Sequence, residues 1–289
     1  MVDFSFIIVT YNSHLLITDA IKSILLNENN SSSFEMIIVD NSNDKGNQLL
    51  VSVLEKEDLH SLVKVIHNPQ NTGYGAGNNL GIKNANGKYI IVMNPDVRLT
   101  EPLLSDTKGI FENDNQTILV TYKQMGGQNI SFYRKPEHGF LFSGWYLKLK
   151  NRLKLFNQKT DFLSGAFFFA EKEKFVNIGL FDENIFMYNE ESDISNRINL
   201  NKFKIRFLPQ KSYIHLLDER PINPNAFHSE MKSLKYYIKK YDINEKKIIS
   251  RNLLELRIKT IIAKLLNKKE ATDKFSLMAN IISEEFPHI

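Results

Sequence analysis

The chain has 289 residues, no cysteine, one tryptophan and a formal net charge of +4, with 42% hydrophobic and 24% charged residues. This is an ordinary globular composition, long enough for one large domain or a domain with an extension, and the missing cysteines exclude disulfides, thiolate metal sites and a cysteine nucleophile. No apolar run reaches the roughly 18–20 residues that span a bilayer, and an acid stands where a secretory leader wants a basic region, so a soluble, cytoplasmic protein is expected.

The first hundred residues alternate apolar runs with helical patterns. Phe4–Val9 reads as a buried strand ending in Thr10-Tyr11-Asn12-Ser13, and helical spacing follows from Leu15 to Leu26. Met36–Val39 is a second strand, stopped by the polar run 40–44. Leu49–Leu62 reads as a helix and Val63–Ile66 as a third strand. Asn71–Gly77 is a glycine-rich loop feeding a helix over Asn78–Asn84. Tyr89–Met93 is a fourth strand, ended by Asn94-Pro95-Asp96. Such alternation implies right-handed βαβ units and a Rossmann-like, mostly parallel central sheet with flanking helices, an α/β fold.

Residues 123–159 lose this rhythm and read as a basic, aromatic excursion, helical around Tyr146–Phe156. Regularity returns at Phe162–Phe169, with a helix at Lys172–Ile178 and another opening at Glu190. Phe203–Leu208 and Tyr213–His215 read as two short strands, and the pattern is helical from Pro224 onward. This divides the chain into a unit at 1–220 and a helical extension at 221–289. Charge follows the same divisions: net −6 over 1–122, +7 over 123–159, −2 over 160–220 and +5 over 221–289. An acidic body with two basic segments is not the footprint of a nucleic-acid binder, which is basic across a binding face.

Polar residues gather at the ends of the predicted strands, where ligands bind in an open α/β sheet. Asp40 sits where a carboxylate can accept the ring N–H of a pyrimidine base. Asp96 sits where one can hold Mg²⁺ or Mn²⁺ against a diphosphate. Either is also an ordinary turn or cap residue. The run Asn71–Asn79 is G-x-G-x-G and follows the third strand, so it is not a dinucleotide fingerprint. It allows a close backbone approach or a plain turn into a helix. Glu190, Glu191 and Asp193 crowd one helix start, where acids complement the dipole and Asp193 pairs with Arg197. That leaves the adjacent Glu190 and Glu191 behind an aromatic segment unexplained, and a carboxylate there can serve as a general base. His215 is a structural histidine or, with Asp96, a second metal ligand.

The ordered set IIVTYNS (7–13), IIVDNSN (37–43), NPQNTGYGAGNNLGI (68–82), YIIVMNPDV (89–97), FLSGAFFFA (162–170), GLFDENIFMYNEESDISNRI (179–198) and His215 resembles the family 2 glycosyltransferases with the A-type fold, nearest their rhamnosyltransferase-like branch. The resemblance implies an inverting, metal-dependent, non-processive transfer of one sugar from a nucleoside diphosphate donor to a saccharide or lipid-linked saccharide acceptor in bacterial surface polysaccharide synthesis, with dTDP-rhamnose as the first donor to consider. It implies that Thr10, Tyr11, Asn12, Asp40, Asn79 and Asn94 line the donor nucleotide. Asn94 stands where many relatives carry the first acid of the metal motif. Asp96 and His215 match the Mg²⁺ or Mn²⁺ ligands. Glu191 matches the base, replacing the commoner aspartate, with Glu190 beside it. The run 216–220 lacks the small residues many relatives show.

A sugar-1-phosphate nucleotidyltransferase would want a glycine- and arginine-containing loop after the first strand, which 10–13 do not supply. A non-catalytic sugar-nucleotide-binding protein would not need Asp96, Glu190, Glu191 and His215. Beyond the resemblance, Leu253, Leu254, Ile258, Ile261, Ile262, Leu265 and Leu266 form an apolar stripe among basic residues. It suits packing on the body, a homodimer, or peripheral contact with the inner face of the cell membrane.

Overall fold

A computed structural model describes residues 2–28, 32–127, 129–216 and 223–289. Along the chain the elements are β1 (Phe4–Thr10), α1 (His14–Glu28), β2 (Phe34–Asp40), α2 (Asp44–Lys56), β3 (Lys64–His67), α3 (Tyr74–Lys83), β4 (Tyr89–Met93) and β5 (Val97–Leu99). Then come α4 (Leu104–Asn113), β6 (Thr117–Met125), β7 (Phe132–Arg134), α5 (Ser143–Arg152), β8 (Asp161–Leu163), β9 (Phe167–Glu171), α6 (Lys172–Asn177), α7 (Glu190–Leu200) and β10 (Lys204–His215). Three helices close the chain: α8 (Pro224–Lys240), α9 (Glu245–Leu265) and α10 (Lys269–Glu285).

The described residues form an eight-stranded sheet in the order β3-β2-β1-β4-β9-β6-β10-β5 and a small antiparallel pair, β7-β8. The first four strands of that order are mutually parallel, as strand–helix alternation predicts. β6 and β10 are also parallel to each other. β9 runs antiparallel to both its neighbours, as β5 does to β10, so the sheet is mixed. Side chains along β1 alternate between two cores. Phe4, Phe6 and Ile8 pack with α1, α2 and α4, while Ile7 and Val9 pack with α3, α6 and α7. Burial on both faces is why the strand reads as an unbroken apolar run. The last three helices build a separate core from Phe227, Leu234, Ile249, Leu256, Ile282 and their neighbours. No helix among the described residues is long and apolar enough to cross a membrane.

Several elements differ from the sequence expectation. α2 starts at Asp44 rather than Leu49, because the Asn43 side chain caps it by accepting the Gly46 amide. The glycine-rich run is not a loop: Tyr74 to Gly77 already belong to α3. Its glycines are packing points. A Cβ on Gly77 would stand 3.0 Å from Val9, and one on Gly81 2.4 Å from Ile7. The helix therefore lies directly on β1 and β2. The two short strands after Phe203 are one bulged strand, β10. α5 begins at Ser143, three residues before the predicted start.

Candidate active site

Two groups of side chains meet at the C-terminal edge of the parallel strands. In the first, Thr10 and Asp40 end β1 and β2 directly opposite each other. Asp40 is fully buried. Its Oδ1 accepts from Thr10 Oγ1 (2.9 Å), Ser42 Oγ (2.6 Å) and the Ser42 amide (3.1 Å), and its Oδ2 accepts from Asn47 on α2 (3.0 Å). Asn12, in the left-handed region at φ 51°, donates its amide to Ser42 Oγ. Tyr11 projects outward, 57% exposed. Thr10, Tyr11, Asn12 and Asp40 are thus brought together on one rim. Asn79 is not. Its amide donates to the Phe181 carbonyl and Glu183, and its oxygen accepts from the Phe181 amide, so the side chain pins 181–183 to α3. Of the residues expected along the donor crevice, it alone has its polar atoms committed to 181–183 rather than to the rim.

Asn94 and Asp96 follow β4, and the Asn94 amide donates to Ala166. Because β10 pairs with β5, placing His215 opposite Val97, His215 Nε2 stands 3.2 Å from Asp96 Oδ1. Arg98 ties the same turn down through the carbonyls of Pro95, Val97 and Leu16. Among the described residues no group of three His, Asp or Glu side chains could cage a metal. One carboxylate with one imidazole nonetheless fits a hard cation that completes its shell from a substrate's phosphates, and His215 Nδ1 is buried with no partner. The run 217–220 lies outside the described residues.

The second group surrounds a cavity of about 460 Å³ shared by Asn94, His215, Glu190 and Glu191. α7 starts abruptly there. Tyr188 and Asn189 are both left-handed, at φ 70° and 68°, and no side chain caps the helix. Two consecutive non-glycine residues in that region cost energy that the surroundings must hold. The Phe186 carbonyl accepts the Tyr74 amide and sits where a Cβ on Gly73 would be 2.3 Å away. The Ser233 hydroxyl, on α8, holds the Met187 carbonyl from the other side. Glu190 and Glu191 are thereby fixed at the cavity wall. Glu190 is buried and its Oε2 has no partner. Burial, then the charge of Glu191, raise its carboxyl well above the usual range. Burial pushes Glu191 up to about 7, against the pull of its own amide and that of Gly165. A Cβ on Gly165 would meet Glu191 Oε1 at 2.0 Å, so only glycine admits the carboxylate there.

Tyr74, Tyr133 and Glu230 complete the wall, and the sequence reading missed all three. Tyr74 donates to the Gly165 carbonyl (2.8 Å), and its hydroxyl is raised by burial and by the charges of Glu191, Glu190 and Asp96. The signal available for it was one aromatic inside a glycine-rich run. Glu230 comes from α8, beyond the resemblance, and nothing in its local sequence marks it. Asp193 and Arg197 pair as expected, at 2.7 Å. Asp193 also accepts from Lys240 and Tyr241 of the C-terminal helices.

The family model for glycosyl transferase family 2 matches residues 5–179. Over 233 residues the chain is 26% identical to the low-salt glycan biosynthesis hexosyltransferase Agl10 of Haloferax volcanii, covering 78% of this chain and 70% of that protein. It is 24% identical to the poly(ribitol-phosphate) β-N-acetylglucosaminyltransferase TarS of Staphylococcus aureus, over 85% of this chain but only 42% of TarS. Among solved structures, the mannosyltransferase PcManGT of Pyrobaculum calidifontis, in complex with GDP-Man and Mn²⁺, superposes with a TM-score of 0.64 at 14% identity, over 98% of this chain and 86% of that one. Residues 1–349 of TarS with UDP-GlcNAc give 0.54 at 19%, over 92% and 72%. At these identities the superpositions establish a shared fold.

Proposed function

This chain is a glycosyltransferase belonging to family 2, and from that premise we propose that it transfers one sugar, with inversion and without processivity, from a nucleoside diphosphate donor to a hydroxyl of a saccharide or lipid-linked saccharide acceptor. The observation that carries the reading is the pair Glu190–Glu191. Both carboxylates are raised by burial, and they stand in a cavity that also reaches Asn94 and His215, beside the Thr10–Asp40 rim. Glycan and teichoic acid synthesis are the settings named for relatives. None of those names supports rhamnose, so dTDP-rhamnose enters a donor panel beside UDP-GlcNAc and GDP-Man with no priority. The non-catalytic and nucleotidyltransferase alternatives are not favoured.

In this mechanism Thr10, Tyr11, Asn12 and Asp40 seat the nucleoside, and Asp40 Oδ2, with a single donor in place, accepts from the base. Asp96 and His215 hold a divalent cation, Mg²⁺ or Mn²⁺, which when bound supplies charge neutralisation to the departing diphosphate. Glu191 removes the proton of the acceptor hydroxyl, whose oxygen attacks the anomeric carbon opposite the leaving group. A base whose carboxyl titrates near neutrality is suited to that exchange. Residues 1–220 form the catalytic unit, with 123–159 as a variable excursion, and 221–289 form the helical extension. Sugar-nucleotide turnover by wild type, lost in Glu191→Gln, tests the assignment.

On α9, Leu254, Ile261, Ile262 and Leu265 are exposed, followed by an exposed Leu266, while Leu253 faces the core. We propose that this stripe, flanked by Arg257, Lys264 and Lys268, rests on the anionic inner face of the cell membrane. Co-sedimentation with anionic but not neutral vesicles, weakened by salt, supports it. A salt-independent dimer with no vesicle binding assigns the stripe to a second copy instead.

A further inference from the structure

The cavity beside Glu191 is lined by carboxylates from two separate parts of the chain. Glu190 and Glu191 come from α7 and Glu230 from α8, all three beyond the residues 5–179 that match the family model. Glu230 is held there by construction. It lies one turn before Ser233, whose hydroxyl grips the Met187 carbonyl at 2.8 Å, and residues three apart share a helix face. Farther along α8, Tyr236 donates to Asp182 at 2.9 Å and Lys240 pairs with Asp193. The helix is thus clamped to the catalytic unit along its length. Burial raises the Glu230 carboxyl to about 7, with no compensating cation. Among the described residues no lysine or arginine lines the cavity, whose remaining wall is largely aromatic or apolar: Tyr133, Phe162, Met187 and Tyr188. Among the described residues lining it, the imidazole of His215 is the sole basic group, and it is turned to Asp96.

We propose that this cavity receives an electrically neutral sugar as the acceptor unit, and that Glu230 is a specificity-determining residue for it. The inference rests on the glycosyltransfer reading above and names the acceptor class for that site. An uncharged sugar presents hydroxyl donors to Glu230 and C–H faces to the aromatic wall, which is how a mostly apolar pocket with a few polar groups selects a ligand. An acceptor carrying a phosphate or carboxylate at this point would meet three carboxylates with no lysine or arginine among the described lining residues to offset them, the cation proposed at Asp96 and His215 being committed to the donor diphosphate, and like charges brought together in a desolvated site discriminate strongly.

The test uses the full chain with whichever panel donor it turns over, offering methyl glycosides of neutral hexoses against ribitol 5-phosphate and a methyl glucuronide. Wild type is expected to favour a neutral glycoside at least a hundredfold in kcat/KM. Glu230→Gln, checked for folding by thermal melting, raises the acceptor KM about tenfold or more while the donor KM moves less than twofold. Glu230→Lys narrows the preference against the anionic acceptors. Equal use of ribitol 5-phosphate by wild type would overturn the proposal, as would an acceptor KM unmoved in both Glu230→Gln and Glu230→Ala. Absence of any sugar-nucleotide turnover in wild type would bring down the glycosyltransfer reading and this inference with it. Turnover with an unmoved acceptor KM removes this inference alone.

Discussion

Asp40 at the strand-end rim and Glu190 at the cavity wall are buried alike, yet the protein treats their carboxylates in opposite ways. Asp40 accepts from Thr10, Ser42 and Asn47, and Asp193, equally buried, is met by Arg197, Lys240 and Tyr241. Among the described residues Glu190 Oε2 has no partner, and none gives Glu191 or Glu230 a cation to offset its desolvation. A buried carboxylate supplied with donors braces the structure. One left without them is pushed toward the neutral acid and becomes available to take up or release a proton. On the function proposed above, the rim is scaffold as well as donor surface, whereas the cavity carries the chemistry.

The largest effect expected to test this contrast is on catalysis. Glu191→Gln should lower acceptor-dependent transfer by about 10²–10⁴-fold without loss of thermal stability, since it removes a charge the fold does not satisfy. The same loss in Glu190→Gln, with Glu191→Gln active, would move the base by one residue. The partnered group should behave in reverse. Asp193→Ala strands Arg197 and Lys240 around a buried gap and should cost about 3–5 kcal/mol of stability, as breaking a buried ion pair does, read by chemical denaturation. A loss under 1 kcal/mol would show that the C-terminal helices hold α7 by apolar packing alone. Smaller again is Gly165→Ala. Its Cβ would lie 2.0 Å from Glu191 Oε1, so the carboxylate must shift, and kcat should fall about 10–100-fold with donor KM little changed.

How far this was legible in the sequence follows the same division. The parallel half of the sheet, its strand ends and the start of α7 at Glu190 were readable, because apolar runs, polar stops and paired acids are local patterns. The mixed half was not. β9 reverses direction against β4, 74 to 82 positions earlier, and β5 joins through β10, 114 to 118 positions later. Glycines 75, 77 and 81 were readable as permissive but not as packing points, because what they approach, Phe181, Val9 and Ile7, lies elsewhere in the chain. The bracing contacts of Asn79 were hidden for the same reason: its partners at 181 and 183 are about a hundred residues away. The basic surplus of 123–159 also changed meaning once packed. Lys135 and Lys150 are buried, donating to Asn196 and Asp161, so part of that charge stabilises the interior and faces no ligand. Glu230 could not be found by pattern at all, since only the docking of α8 gives it a role.

The smallest effect separates the two kinds of carboxylate by the sign of their pH dependence. In the folded chain Glu190 and Glu191 are raised above their unfolded value near 4.5, Glu191 to about 7. The stability linked to their protonated forms is therefore whole below about pH 4.5 and is lost as the pH climbs through 7. Replacing both with glutamine removes that loss, so the double variant should gain on the order of 1–3 kcal/mol over wild type at pH 8 and little at pH 5. Asp182 provides the opposite slope. Burial alone would raise it, but Lys240, Asn184 and Tyr236 hold it below its ordinary value. Its contribution is present above the unfolded value of 3.8 and is lost as the pH falls from there through its lower folded value, so Asp182→Asn should destabilise the chain at pH 7 and by a narrowing margin below pH 4. Melting curves of the three proteins from pH 3 to 8 test both halves together. Parallel curves for the double glutamine variant and wild type would mean that the pair is ionised at no cost in the fold, and the contrast between partnered and unpartnered carboxylates would then fail at the site where it matters most.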